Sequence, residues 1–223
     1  MGVLEDQAEA FAARLTDLVN ATVTRDCVFH VTLVDGLAIV RPPGEVLKTH
    51  PLLPLSTADD VEDRQQAPLW LRVRFSTTMD AEGQHLAVHS SVMGLCVDPR
   101  TNFCPIRIEY DRDEPGKQAA HLHITGDSAG LGFAYAAAGS KLRPLHKLHI
   151  PLGDRRFRPT LEDFIEFLHQ ERLITDTHQG WRQALGESRG DWLHRQTRAA
   201  VRRHPDAAVE QLEAMGYTVR SPD

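Results

Sequence analysis

Cysteine is scarce in this chain. The 223 residues include only three cysteines, Cys27, Cys96 and Cys104. Their number is odd, and none of them stands at the C-x-x-C spacing that is typical of zinc ribbons and redox motifs. The cysteines therefore favour a reducing, cytoplasmic location.

Long apolar runs are lacking as well. No stretch approaches the roughly 20 residues that a bilayer-spanning helix needs. The N-terminal MGVLEDQAEAFAARL has neither the positive charges nor the apolar core of a signal peptide, so we expect no membrane partner. Because the net charge is −6, binding to nucleic acid would require a local basic patch.

Common enzyme signatures are also missing. The chain has no G-x-G-x-x-G, no G-x-x-x-x-G-K-[ST] and no G-x-S-x-G motif, which argues against the standard nucleotide-binding loops and the serine-hydrolase elbow. Apolar residues make up 41% of the chain and charged residues 25%. This balance is typical of a globular protein with a core of its own.

The apolar pattern predicts an α+β fold. Alternation with a period of two indicates an antiparallel sheet of about five or six strands. Flanking helices are predicted over 4–20 and over 160–173, where Thr160 and Asp163 resemble a capping box. Residues 44–68 carry prolines and an acidic run and are predicted to form a surface loop.

Two parts of the chain differ in their predicted structure. Residues 1–175 form the predicted sheet domain, and residues 176–223 form a helical C-terminal extension of three amphipathic segments. Trp181, Trp192 and Tyr217 lie in this extension and predict a docking surface for a protein partner.

The densest group of chemistry-bearing residues lies in a hairpin predicted over 106–125. Three charged side chains and two imidazoles alternate with apolar residues on its two strands: Arg107, Glu109, Asp111, His121 and His123. Because successive side chains on a strand point to opposite faces, all five should share one solvent-facing sheet face. The expected register places Asp111 near His121, Glu109 near His123 and Arg107 near Thr125.

This face suits acid–base chemistry on a phosphate ester. Imidazoles give and take protons near neutral pH, and a neighbouring carboxylate fixes their tautomer. We therefore predict His121 and His123 as catalytic groups that Glu109 and Asp111 orient, without a metal. Arginine binds phosphate bidentately, and the predicted substrate-binding side chains are Arg107, Arg74, Arg72 and His89. Cross-strand ion pairs on a solvated face are the alternative explanation.

The same histidines could instead bind a metal ion. His121 and His123 stand at i and i+2 on one strand, and His149, or His146 beside it, can add a third imidazole. No glutamate or cysteine follows at a suitable ligand spacing. The sequence therefore favours a metal-independent site, with zinc on His121, His123 and His149 as the alternative.

The order of elements over 69–125 resembles that of small bacterial toxins of the TumE type. An R-x-E-Y-D strand is followed by H-x-H, and the matching residues are Arg107, Tyr110, Asp111, His121 and His123. Two features depart from the toxin pattern. Ile108 and Glu109 stand between Arg107 and Tyr110, and about a hundred residues follow the H-x-H. The resemblance implies a toxin or defence-system component that acts on RNA.

Two functions follow as expectations. The first is a cytoplasmic, toxin-like or defence-associated ribonuclease that uses the histidine face. The second is a non-enzymatic binding subunit of a larger bacterial complex, or an antitoxin-like partner, that docks through the C-terminal helices.

Overall fold

The computed structural model describes most of the chain, with several gaps in the loops. The described residues are 2–43, 52–55, 69–97, 103–113, 115, 118–126, 128–138, 141, 144–152, 158–174 and 179–220. The acidic run 59–63 of the predicted loop lies outside them. The fold is α+β, as predicted.

The elements follow one another along the chain in this order: α1 (Val3–Thr22), β1 (His30–Val34), β2 (Leu37–Arg41), β3 (Leu52–Pro54), β4 (Trp70–Met79), β5 (Leu86–Cys96), β6 (Ile106–Asp111), β7 (Ala120–Ile124), α2 (Ala129–Ala137), a 3₁₀ turn (Leu145–Lys147), β8 (Ile150–Pro151), α3 (Leu161–Gln170), α4 (Trp181–Arg203) and α5 (Pro205–Ala214).

The described strands form one open antiparallel sheet of eight strands. Its order is β1-β2-β4-β5-β6-β7-β8, and β3 pairs with β4 outside this path. The prediction of five or six strands was an undercount. Strand β3, which has three residues, lies inside the stretch predicted as a loop. So short a strand carries too little alternation to be recognised from sequence. The strand expected over Leu148–Leu152 is present as the two residues of β8.

Helix α1 covers the apolar face of the sheet. Its buried residues include Ala8, Ala12 and Leu15, which repeat at helical spacing. Phe11 on α1 meets Phe75 on β4 edge to face, with ring centroids 5.1 Å apart. The polar sheet positions of the predicted hairpin lie on the opposite face, because they alternate with residues of the Phe75 face.

Helix α3 begins with the capping box that the sequence predicts. The hydroxyl of Thr160 accepts a hydrogen bond from the Asp163 backbone N–H, and the Asp163 carboxylate accepts one from the Thr160 backbone N–H. At the other end of the helix, the His169 ring stacks on Trp181 with centroids 4.0 Å apart. Trp181 is buried, so it does not offer the docking surface that was predicted for it.

By the contacts within the chain, residues 1–181 and 182–223 form two compact units. The second consists mainly of α4 and α5, and the first two predicted amphipathic segments form the single helix α4. Pro205 starts α5, and Gly216 follows it with a positive φ of 88°. None of the helices in the described part of the chain has the length and apolarity that a bilayer crossing requires.

Two of the three cysteines are paired, which the sequence did not predict. Cys96 ends β5 and Cys104 precedes β6, and the structure joins them in a disulfide with their Cα atoms 3.8 Å apart. Cys27 takes no part in this disulfide and is buried. The pairing runs against the reduced state that was expected from an odd number of cysteines, because strand pairing brings together residues whose spacing in sequence gives no signal.

Candidate functional site

The register of β6 and β7 differs from the predicted one by two residues. Glu109 stands opposite His121, and Arg107 stands opposite His123. The shift occurs because Ala119 and Ala120 are buried with Tyr110 and bring the hairpin together earlier, where the Asp111 N–H donates to the Ala119 carbonyl. The hairpin therefore places one carboxylate, not two, beside the histidines.

Glu109 is the central anion of the cluster. Its Oε2 lies 3.3 Å from Nε2 of His121 and 3.3 Å from Nε2 of His123. Its Oε1 lies 2.6 Å from Nε of Arg107. One carboxylate thus contacts two imidazoles and a guanidinium, which joins three of the predicted site residues to Glu109.

Asp111 is not part of this cluster. It stands opposite Ser90 on β5, and its carboxylate accepts a hydrogen bond from the Asp113 backbone N–H at 3.2 Å. His89 also faces elsewhere, with its Nδ1 3.5 Å from the carboxylate of Asp113. The structure therefore does not bring Asp111 to His121, and it does not place His89 with the arginines.

The histidine face is covered, where an open, solvent-facing surface was expected. His121 is 3% exposed and His123 is 6% exposed. Strand β8 pairs with β7 beside them, with Pro151 opposite His121. The cause is the return of residues 144–152 to the sheet, a long-range contact that the pattern of the hairpin does not encode.

Backbone carbonyls hold the other nitrogen of each ring. Nδ1 of His121 lies 2.9 Å from the Gln118 carbonyl oxygen, and Nδ1 of His123 lies 3.2 Å from that of His146. In both rings Nε2 is then the nitrogen that faces the centre of the cluster. A carbonyl at the outer nitrogen is the usual way in which proteins orient a metal-binding histidine.

His149 completes a group of three rings. Its centroid lies 4.7 Å from that of His121 and 4.9 Å from that of His123, and the two strand histidines are 4.9 Å apart. One nitrogen from each of the three rings lies within 4.8 Å of the others. The three histidines of the zinc alternative are therefore brought together.

The nitrogens of His121 and His123 raise a question of proton balance. Each ring faces a carbonyl oxygen at Nδ1 and the Glu109 carboxylate at Nε2, and a neutral imidazole has only one N–H to donate. Two imidazolium ions would satisfy every contact, but they would add two positive charges beside Arg107 in a buried place. A cation between the Nε2 atoms and Glu109 would satisfy the same contacts with neutral rings.

The electrostatics disfavour the charged form of His123 and keep Glu109 ionised. Burial lowers the pKa of His123, although the charge of Glu109 opposes this shift. Burial would raise the pKa of Glu109, but the hydrogen bond of His121 and the charges of Arg107, His123 and His121 together lower that pKa to about 2. Glu109 is thus ionised near neutral pH, and such a weak base is a poor proton acceptor there.

Two of the predicted arginines border the cluster. Arg72 and Arg107 stand opposite Gly94 from its two sides, on β4 and β6. Burial and, after it, the charge of Arg107 lower the pKa of Arg72, whereas Glu109 raises it. Arg74 lies two residues after Arg72 on β4. Val92 on β5 stands between Arg74 and Glu109. The sequence analysis missed Gly94, although a glycine inside a strand is a signal of close approach.

The chain matches no family model, no curated protein and no solved structure in the three comparisons. The resemblance to TumE-type toxins therefore stays a prediction. Functional inference has to start from the geometry of the histidine cluster.

Proposed function

We propose that the chain is a metal-dependent hydrolase whose centre binds a divalent transition metal, best zinc, on His121, His123 and His149. The observation that carries this proposal is the convergence of three imidazoles, with one nitrogen from each within 4.8 Å of the others. Catalytic zinc sites typically use three protein ligands and keep one position for water. Soft or borderline metals prefer imidazole, and Mg²⁺ or Ca²⁺ would require more oxygen ligands.

Glu109 supports the metal by its charge and position. Its Oε2 contacts both Nε2 atoms that would bind the ion, so it supplies the negative charge that three neutral imidazoles lack. Arg107 holds the other carboxylate oxygen. A zinc ion held by these residues would supply hydroxide for hydrolysis, because zinc at a three-histidine site can lower the pKa of a bound water to about 7.

This centre replaces the metal-independent acid–base scheme of the sequence analysis. In that scheme, His121 and His123 must exchange protons with the substrate, yet both rings are buried and both nitrogens of each face protein oxygens. As metal ligands they need no such access. The burial of the rings therefore favours the metal.

RNA remains the substrate that we propose. The basis is the resemblance to TumE-type toxins at Arg107, Tyr110, Asp111, His121 and His123, together with the arginines beside the centre. The biological role would then be that of a toxin-like or defence-associated ribonuclease. Cleavage of a labelled RNA that requires added metal, and that is lost in His121→Ala, tests this assignment.

Metal content tests the centre independently of any substrate. The full chain, stripped with a chelator, is titrated with Zn²⁺ and with Co²⁺, whose visible absorption reports the ligand geometry. We expect one tightly bound ion per chain and its loss in His149→Ala. His146→Ala is the matched control, because His146 contributes its backbone carbonyl to the site and its side chain is exposed. Equal binding by His149→Ala and the wild type would refute the centre.

A binding function is the second candidate, and the C-terminal unit favours it. Leu193, Met215 and Tyr217 there are each about three-fifths exposed, at 60%, 62% and 61%. Large apolar side chains in such number favour contact with a protein partner. The paired substitution Leu193→Lys with Met215→Lys should abolish complex formation in this case and leave metal binding unchanged.

A further inference from the structure

The C-terminal unit separates its charges between two successive helices. Arg195, Arg198 and Arg202 stand on α4 at i, i+3 and i+7, which places them on one side of that helix. All three side chains are exposed, and no acidic residue stands between Trp192 and His204. We refer to these three arginines as the basic row.

An acidic row follows on α5. It consists of Asp206, Glu210 and Glu213, which stand at i, i+4 and i+7, again on one side of the helix, and all three side chains are exposed. Helix α5 contains neither lysine nor arginine. Each row therefore presents charge of one sign, and both rows are about 10 Å long at the helical rise of 1.5 Å per residue.

The two rows are mirror images about His204. The arginines of the basic row precede His204 by two, six and nine positions, and the carboxylates of the acidic row follow it by two, six and nine positions. When two copies of this segment lie antiparallel, one register aligns every arginine of one copy with a carboxylate of the other. A two-fold axis then repeats the whole set of contacts, as the closed interface of a symmetric dimer requires.

The rows cannot meet within one chain. His204 is the only residue between α4 and α5. Its N–H donates to the Ala200 carbonyl, and its own carbonyl accepts a hydrogen bond from the Ala208 N–H, so the helical bonding pattern crosses the junction. Two antiparallel helices need a loop of about two to five residues between them. Accordingly, α4 and α5 do not pack side by side in the described part of the chain.

Apolar side chains border both rows and are open to the same contact. Val201 stands three residues after Arg198 on α4, and it is 47% exposed. Val209 stands three residues after Asp206 on α5, and Leu212, one turn further on, is 39% exposed. Helix α5 has ten residues and buries none of them. Because so short a helix takes most of its stability from packing, it favours a partner surface.

We infer that two copies of the chain pair through residues 193–215, with α4 of one copy antiparallel to α5 of the other. The opposite charges set the register, as flanking charges do in coiled coils, and the apolar side chains supply buried area. Nucleic acid fits this surface less well, because the acidic row repels phosphates. The inference rests on the second candidate function for the statement that this unit binds protein, and it names the partner.

Sedimentation equilibrium of the full chain over a range of concentrations tests the pairing. We expect a dimer of twice the 24.9 kDa chain mass that dissociates on dilution. Its dissociation constant should rise with salt, because the facing charges of the two rows are exposed to screening. A wild type that stays monomeric at every concentration, or a dimer whose dissociation constant ignores salt, would overturn the inference.

Reversal of the rows gives a sharper test. One variant carries Arg195→Glu, Arg198→Glu and Arg202→Glu, and a second carries Asp206→Lys, Glu210→Lys and Glu213→Lys. Each alone should dimerise more than roughly tenfold more weakly, because every facing pair then has like charges. An equimolar mixture should restore the dimer, because all facing pairs are opposite again. Circular dichroism checks that both variants keep their helices.

The matched control reverses three exposed acids on α1 with Asp6→Lys, Glu9→Lys and Asp17→Lys. Its dimer affinity should stay close to that of the wild type. Full dimerisation of either reversed variant alone, or a mixture of the two that stays monomeric, would refute the pairing of the rows. A monomeric wild type that binds a labelled RNA through the basic row would assign that row to nucleic acid instead.

The outcome is separable from those of the proposed functions. Zinc content is measured on the same samples and should be equal in the wild type and both reversed variants. Zinc binding by a monomeric wild type would reject the pairing and leave the metal centre standing. Dimers that form without any zinc uptake would support the pairing and reject the centre. The second candidate function is tested apart from both by Leu193→Lys with Met215→Lys.

Discussion

Glu109 and His121 face each other across β6 and β7, with Oε2 of Glu109 3.3 Å from Nε2 of His121. This distance exceeds the roughly 2.7–2.9 Å of a charge-assisted hydrogen bond. The same oxygen lies equally far from His123. One carboxylate oxygen therefore stands equally far from both Nε2 atoms, which is the geometry of groups that surround a common position.

Glu109→Gln should weaken metal binding by roughly 10- to 100-fold, because supporting residues around a metal site typically have effects of this size. The substitution keeps the shape of the side chain and removes its charge. Competition with a chelator of known affinity measures the change. Asp111→Asn is the control on the same strand, since Asp111 lies outside the cluster. A similar loss in Asp111→Asn would show that net charge, and not the position of Glu109, determines affinity.

The Glu109 carboxylate should make the free energy of unfolding of the metal-free chain depend on pH in the acidic range. The pKa of Glu109 is lowered from its ordinary value of 4.5 to about 2. The stabilising contribution is then present above pH 4.5 and is lost as the pH falls toward 2, and its size is about 1 to 3 kcal/mol.

Urea denaturation of wild type and Glu109→Gln at a series of pH values measures this contribution. The wild type should be more stable at pH 6, and the difference between the two proteins should shrink by roughly half by pH 3. A difference that stays constant over this range would assign the effect of the substitution to packing and not to charge.

The sequence predicted the hairpin face because it depends on local alternation. Glu109, His121 and His123 share a face in every register that keeps the apolar residues of both strands on one side, and a two-residue shift changes only which residues are opposite. The register itself depended on the burial of Ala119 and Ala120 with Tyr110. Small apolar residues at the start of a strand give too weak a signal to determine it in advance.

The burial of the histidine face could not be predicted from the sequence, for a different reason. His149 and the His146 carbonyl are more than twenty residues from the hairpin in sequence. The strand next to them, β8, which pairs with the hairpin, has only two residues. The pairing of Cys96 with Cys104 is likewise a product of the sheet and not of spacing. Local patterns identified the chemistry-bearing residues, and long-range packing decided that they surround a buried position.

The disulfide should stabilise the chain. A closed loop of about nine residues reduces the entropy of the unfolded chain by an amount equivalent to roughly 2–3 kcal/mol at 25 °C. The double variant Cys96→Ser with Cys104→Ser should therefore have a free energy of unfolding lower by that amount, and its urea midpoint should be lower accordingly. Wild type in a strong reductant should approach the same midpoint. Cys27→Ser should keep the response to reductant, because Cys27 lies outside the disulfide; loss of the response in this variant would contradict the observed pairing.

Zinc should tie residues 144–152 to the sheet. Ile150 and Pro151 of this segment pair with β7, the Leu152 backbone N–H donates to the Ala120 carbonyl, and His149 is the segment's contribution to the histidine cluster. If His149 binds the same ion as His121 and His123, opening of the segment must break a metal bond, and binding to the closed form alone stabilises it by mass action. Trypsin cleavage after the exposed Lys147 should slow severalfold when zinc is added.

Cleavage after Lys141, also exposed and outside the segment, serves as the internal reference and should not respond to zinc. Mass spectrometry of the early fragments distinguishes the two sites. His149→Ala should lose the protection at Lys147, whereas His146→Ala should keep it. Because trypsin requires an opened backbone, equal slowing at both lysines would mean that zinc acts on the protease or on global stability, and His149 would not be a ligand.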